Sequence, residues 1–132
     1  MSLADIVNNF NITVDIFIKY LRTIEDNDDI AYYHGLFNKL IQVDSTKIIE
    51  QFVINGIPYS DEIENHDENF FLKIDYENKH NDQNISLTKI LNWKEVFKIL
   101  DVKKKETIFE YFQAFLFYAK QYFCLKYSNV VK

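Results

Sequence analysis

Chain breakers are almost missing from this 132-residue sequence, which has two glycines, Gly35 and Gly56, and a single proline, Pro58. So few turn residues argue against a turn-rich β-sandwich and for long uninterrupted helices. Two isolated glycines cannot build a Gly-rich phosphate loop. Cys124 is the only cysteine, which excludes an intrachain disulfide and a Cys-based zinc site and makes a reducing compartment the simplest expectation. Met1 to Phe10 contains Asp5 and no basic residue ahead of a short apolar stretch, unlike a secretory signal. The most apolar window, Phe109 to Phe123, is broken by Glu110, Gln113, Lys120 and Gln121, so no run is long enough to span a bilayer. A soluble cytoplasmic protein without membrane contact is expected.

Large packing side chains, in contrast, are abundant. With 48% hydrophobic residues, 12 Phe and 9 Tyr, the chain can fill one sizeable core, and one domain over residues 1–132 is expected. The net charge of −5 argues against a whole-surface nucleic-acid binder. That charge is polarised: Met1 to Thr88 holds 6 basic and 16 acidic residues, Lys89 to Lys132 holds 9 basic and 4 acidic. Attraction between the two halves within the fold is the simplest use of such an asymmetry.

Ser2 and Asp5 have the spacing of a capping box and open the cleanest helical pattern. Leu3, Val7, Phe10, Val14, Phe17, Leu21 and Ile24 alternate steps of four and three, which predicts a helix over about Leu3 to Glu25. A second row, Ile12, Ile16 and Tyr20, falls on roughly the opposite side, so this helix is either sandwiched in the core or shared with a partner. Ile30, Tyr33, Phe37, Leu40 and Ile41 predict a second helix to Val43. Asp44 or Ser45 is placed to cap a third, carrying Ile48, Ile49, Phe52 and Val53, with Gly56 and Pro58 as its stop.

Ser60 to Asn69 is acidic and reads as a short helical turn or a loop, whereas Phe70 to Tyr76 alternates with period two and hints at a short strand, with Ile57 to Tyr59 as its one nearby partner. Glu77 to Asn84 has no apolar residue and reads as an exposed loop. Ser86 caps a segment to Leu100. Asp101 starts the last helix, with Ile108, Phe112, Phe115, Leu116, Ala119, Tyr122 and Phe123 on its apolar face. The expected fold is all-α, a small bundle of five to six helices with room for one short β-element near residues 57–76.

No cofactor, metal ion or catalytic constellation is expected. Asp26, Asp28 and Asp29 lack the glycine and terminal glutamate of a calcium loop, and Cys124 has no histidine near it in sequence. His34 lies among apolar residues and reads as a hydrogen-bonded structural group. His66, among Asp61, Glu62, Glu64, Asp67 and Glu68, is either part of a solvated acidic loop or of a weak metal site. Two surfaces stand out. Phe117 falls on the polar side of its helix, beside Glu110, Gln113, Ala114, Lys120, Gln121 and Cys124. Either another segment of the chain, such as Glu77 to Asn84 or the second row of the first helix, covers it, or together with Ile12, Ile16 and Tyr20 it is the candidate patch for a protein partner or a second copy. Lys94, Lys98, Lys103, Lys104 and Lys105 form the only basic concentration, a candidate for nucleic acid if it is more than a solvated face.

Three segments, Asp67-Glu68-Asn69-Phe70-Phe71-Leu72, Trp93-Lys94-Glu95-Val96-Phe97-Lys98 and Glu106-Thr107-Ile108-Phe109-Glu110-Tyr111-Phe112-Gln113, resemble a recurrent family of short, uncharacterised helical proteins of large eukaryotic DNA viruses. The resemblance spans most of the chain after Asp29 and rests on packing motifs; at Phe109 the family more often has tryptophan. It implies a helical fold and a cytoplasmic, virus-factory or virion setting, and no activity or functional residue. The expected function is that of a small interaction or structural protein rather than an enzyme, with a nucleic-acid-associated factor using the Lys94–Lys105 region as the alternative.

Overall fold

The structure, a computed structural model, describes residues 2–24, 28–68 and 100–127. The first helix, α1, spans Leu3–Ile24 and starts at the capping box: the Asp5 amide donates to Ser2 Oγ (3.1 Å) and the Ser2 amide to Asp5 Oδ2 (3.3 Å). Its stripe is buried from Val7 to Leu21, and Ile6 and Ile18 widen it. A second helix, α2, spans Asp28–Val43 and faces the core with Ile30, His34 and Phe37, one stripe at i, i+4, i+7.

The third, α3, spans Lys47–Asn55 and buries Ile48, Ile49 and Phe52. Neither Asp44 nor Ser45 caps it. Thr46 is the N-cap, so the helix starts later than expected, and Asp44 Oδ1 instead accepts from the Thr46 amide (3.1 Å) and hydroxyl (2.9 Å) and shapes the turn before it. Gly56 ends α3 with φ −101°, which any residue tolerates. Its glycine identity is a matter of space, since a Cβ there would lie 2.6 Å from the Phe52 ring.

Ile57–Tyr59, the expected strand partner, is a 3-10 turn with Pro58 in its first positions, because proline's fixed φ suits a helical start and its missing N–H weakens a ladder. Among the described residues there is no strand. Phe70 to Tyr76, the loop Glu77 to Asn84 and the segment Ser86 to Ile99 lie outside them. A short helix, α4, follows at Ser60–Glu64 and buries Ile63. It ends in a Schellman motif, with the Asp67 amide donating to the Glu62 carbonyl (2.8 Å) and the His66 amide to that of Ile63 (3.3 Å). His66 takes the left-handed position at φ 53° that glycine usually fills.

The last helix, α5, spans Val102–Tyr127 and is capped by Asp101, whose Oδ1 accepts from the Lys104 amide (2.8 Å). It lies antiparallel to α1, Phe10 meeting Phe115 and Phe17 meeting Phe112 and Tyr111. Phe10, Phe17, Phe52, Phe112 and Phe115 form one cluster of tilted and edge-on rings with centroids 5.4 to 6.3 Å apart, so aromatic packing cements α1, α3 and α5. Phe123, expected in the core, is 46% exposed and rests on Tyr127. Carried on from the Phe10–Phe115 pair, the antiparallel register sets Phe123 level with the very start of α1, where that helix has little left to cover it.

The polarised charge is used at joints between the two halves of the chain. Lys105 pairs with Glu68 (2.7 Å), and Glu50 of α3 accepts from both Lys126 and the Tyr122 hydroxyl (2.7 Å) of α5. The bonds from Lys126 and Tyr122 hold the Glu50 carboxyl below its ordinary range.

Candidate functional site: an uncharged face across two helices

Three groups of contacts account for most of the circumference of α1. On one flank it meets α2 and the turn before α3. There His34 Nδ1 accepts from Arg22 Nη1 (3.3 Å), so the ring proton is on Nε2, which donates to Asp15 Oδ1 (2.7 Å). Asn11, inside the same flank, donates its amide to the Ser45 carbonyl (2.8 Å). Burial raises the Asp15 carboxyl, but the bonds from His34 and Lys19 outweigh it and the net shift is downward. The opposite flank meets α5 through Phe17 and Tyr20, whose rings lie 5.1 Å and 5.7 Å from Tyr111. Between the flanks, away from the core, lies the arc that carries Ile12 and Ile16.

The same construction applies to α5. Tyr111 marks its edge toward α1. Tyr122 reaches α3, and Phe109 and Gln113 meet the end of α4: the His66 ring stacks on Phe109 at 5.0 Å, and Gln113 Nε2 lies 3.1 Å from His66 Nε2. The arc left open holds Glu110, Ala114, Phe117, Tyr118 and Leu125, with Gln121 half-buried among them. The two open arcs look to the same side of the molecule, because the Tyr20–Tyr111 pair lies at the seam between them. Phe117 lies about 120° around α5 from Tyr111, at the far border of this face. Tyr118 stands between them, its ring 5.5 Å from that of Phe117.

Ile12 is 49% exposed, Ile16 48% and Phe117 57%, while Tyr20, Tyr111 and Tyr118 are half-buried. Among the described residues, the α1 arc carries no charge between Asp5 and Lys19, and the α5 arc none from Ala114 to Leu125. An ordinary solvent-facing helix surface is charged. The four residues singled out from sequence therefore share one side of an α1–α5 layer, Tyr20 at its seam and Phe117 at its border. Sequence reasoning missed Tyr111, Ala114 and Tyr118. The available signal was the uncharged series Tyr111, Ala114, Tyr118, Gln121, Leu125 at steps of three and four.

The basic candidate is less coherent. Lys103 and Lys104 are exposed on the first turn of α5, Lys105 is half-buried against Glu68, and Lys94 and Lys98 lie outside the described residues. His66 is held by Phe109 and Gln113. Among the described residues no group of three or more His, Cys, Asp or Glu is placed to hold a metal ion, and no helix is long and apolar enough to cross a membrane. Cys124 is exposed, two turns beyond Phe117 on the same stripe. Compared with family models, curated proteins and solved structures, the chain matches none.

Proposed function

We propose that the chain is a small protein-interaction module acting through the α1–α5 face rather than through a reaction. The observation that carries this is the combination of half-exposed Ile12, Ile16 and Phe117 with two helix arcs that open to one side and carry no charge between Asp5 and Lys19 or from Ala114 to Leu125. Aromatic and aliphatic side chains on a rigid helix pair are what the buried centre of a protein interface needs, and they lose little entropy when covered. The virion or virus-factory setting enters only through the resemblance in sequence. In the nucleic-acid alternative, Lys103 and Lys104 are available to phosphate but Lys105 is already neutralised by Glu68.

The test is a photo-crosslinking amino acid placed at position 117, with position 32 as control, in cells that make the chain. Tyr32 is equally open to solvent but sits on α2, across α1 from the proposed face. Defined protein adducts from position 117 and none above background from position 32 are expected. Equal yields from both, or none from 117, would remove the reading.

A further inference from the structure

We infer that the occupant of the α1–α5 face is a second copy of the same chain, docked about a two-fold axis at Ile12; this rests on the interaction reading above. Charge is arranged symmetrically around the uncharged arc. Asp5, Ile12, Ile16 and Lys19 lie within about 60° of one another around α1, one stripe running the length of the helix. Asp5 closes it at one end and Lys19 at the other, and Ile12 is midway between them in sequence.

A two-fold operation through Ile12 sets α1 antiparallel to its copy. It lays Ile12 on Ile12 of the second copy, Ile16 on Asn8, and Asp5 against Lys19 twice over. A parallel arrangement of the same stripe sets Asp5 on Asp5 and Lys19 on Lys19. The face is thus self-complementary in one orientation and repulsive in the other, as an isologous interface requires. Both charged groups are exposed, Lys19 already 2.9 Å from Asp15 and with its head group in solvent.

Size sets the strength. The exposed parts of Ile12, Ile16 and Phe117 amount to roughly 300 Å² per copy if a fully exposed large side chain is taken as ~200 Å². The half-buried tyrosines add to that, but the total stays below the ~800 Å² per partner of a standard interface, so the dimer is a weak one. Ala114, the small residue beside Phe117, leaves room for the second helix to come close.

The test is sedimentation velocity of the purified full-length chain from micromolar to millimolar concentration. A reversible dimer is expected, abolished by Ile16→Glu. Lys19→Glu is expected to weaken it about tenfold at low salt, and the double variant Asp5→Lys/Lys19→Glu to recover most of the loss. Circular dichroism checks that α1 survives the loss of its capping box. A spin label on Cys124 gives an independent readout that needs no substitution in α1: a dipolar distance between labels appears in the dimer and is absent from a monomer. A chain that stays monomeric throughout overturns the inference, as does a dimer indifferent to Ile16→Glu. A dimer that loses affinity with Ile16→Glu but gains nothing from the charge swap overturns the antiparallel arrangement. If the purified chain is monomeric while position 117 crosslinks a different protein, the inference fails and the interaction reading stands. If both experiments are silent, both fail.

Discussion

Phe115 and Phe117, two residues apart on α5, offer a controlled comparison of a core ring with a surface ring. Phe115 is fully buried and meets Phe10, Phe17, Phe52 and Phe112 at 5.4 to 5.8 Å. Truncating such a residue to alanine removes its transfer energy, leaves a cavity and costs about 3–5 kcal/mol. Phe117 is 57% exposed, so less than half of its surface is covered within the chain. Complete burial of a large apolar side chain is worth ~1.5–3 kcal/mol, so Phe117→Ser should cost about 1 kcal/mol or less. Phe and Ser have nearly equal helix propensities, so the backbone contributes little to the difference. Urea unfolding followed by helical circular dichroism measures both variants. Dilute chain should be used, because self-association adds concentration-dependent stability that Phe117→Ser would also remove. A loss of ~3 kcal/mol or more for Phe117→Ser would show that the residue is a core element and would remove it from the proposed face.

Acid should act through Glu50 and Asp15, whose carboxyls are both lowered in the folded chain. Their contribution is therefore fully present above the unfolded carboxylate range and is lost as pH falls through their folded values; Glu50→Gln should flatten part of the stability decline on acidification, as followed by melting temperature against pH. Gly56→Ala should cost about 1–3 kcal/mol in chemical unfolding, because the new Cβ falls on a Phe52 ring that Phe10, Phe112 and Phe115 prevent from moving. At His66, alanine keeps the left-handed strain and loses the stack on Phe109, whereas glycine loses the stack but relieves the strain. His66→Ala should accordingly be less stable than His66→Gly by ~1 kcal/mol, and the opposite order in calorimetry would refute the account of that helix end.

The helices with strong local signals are legible in the sequence. Ser2 and Asp5 announce the start of α1 and Asp101 that of α5, because a cap is a short-range contact written in adjacent residues. The 3-10 turn at Ile57–Tyr59 was not, since a three-residue apolar run has no period to distinguish turn from strand. Phe123 was misplaced for a different reason. Periodicity gives the side of a helix but not where its neighbour ends, and α5 outruns α1. The candidate face shows both sides of this. Phe117 stood out because it broke its own helix's pattern. Tyr111 and Tyr118 did not, as the place of Tyr111 against Tyr20 and of Tyr118 on the same side exists only once α1 and α5 lie antiparallel.

Asn11 has a consequence for how uniquely the chain folds. The core stripe of α1 is a near-perfect heptad series, so sliding the helix by seven residues lays Leu3, Phe10 and Phe17 where Phe10, Phe17 and Ile24 had been, apolar on apolar along that stripe. Hydrophobicity of the stripe scarcely distinguishes the shifted helix from the native one. The buried amide does, since its bond to the Ser45 carbonyl has no counterpart when Ala4 or Ile18 takes its place. Its own carbonyl oxygen is buried without a hydrogen-bond partner among the described residues, a standing energetic penalty at that site. Asn11→Leu should therefore leave the chain at least as resistant to denaturant while broadening its amide NMR spectrum into more than one set of signals: the asparagine trades stability for a single alignment of α1 against the rest of the bundle.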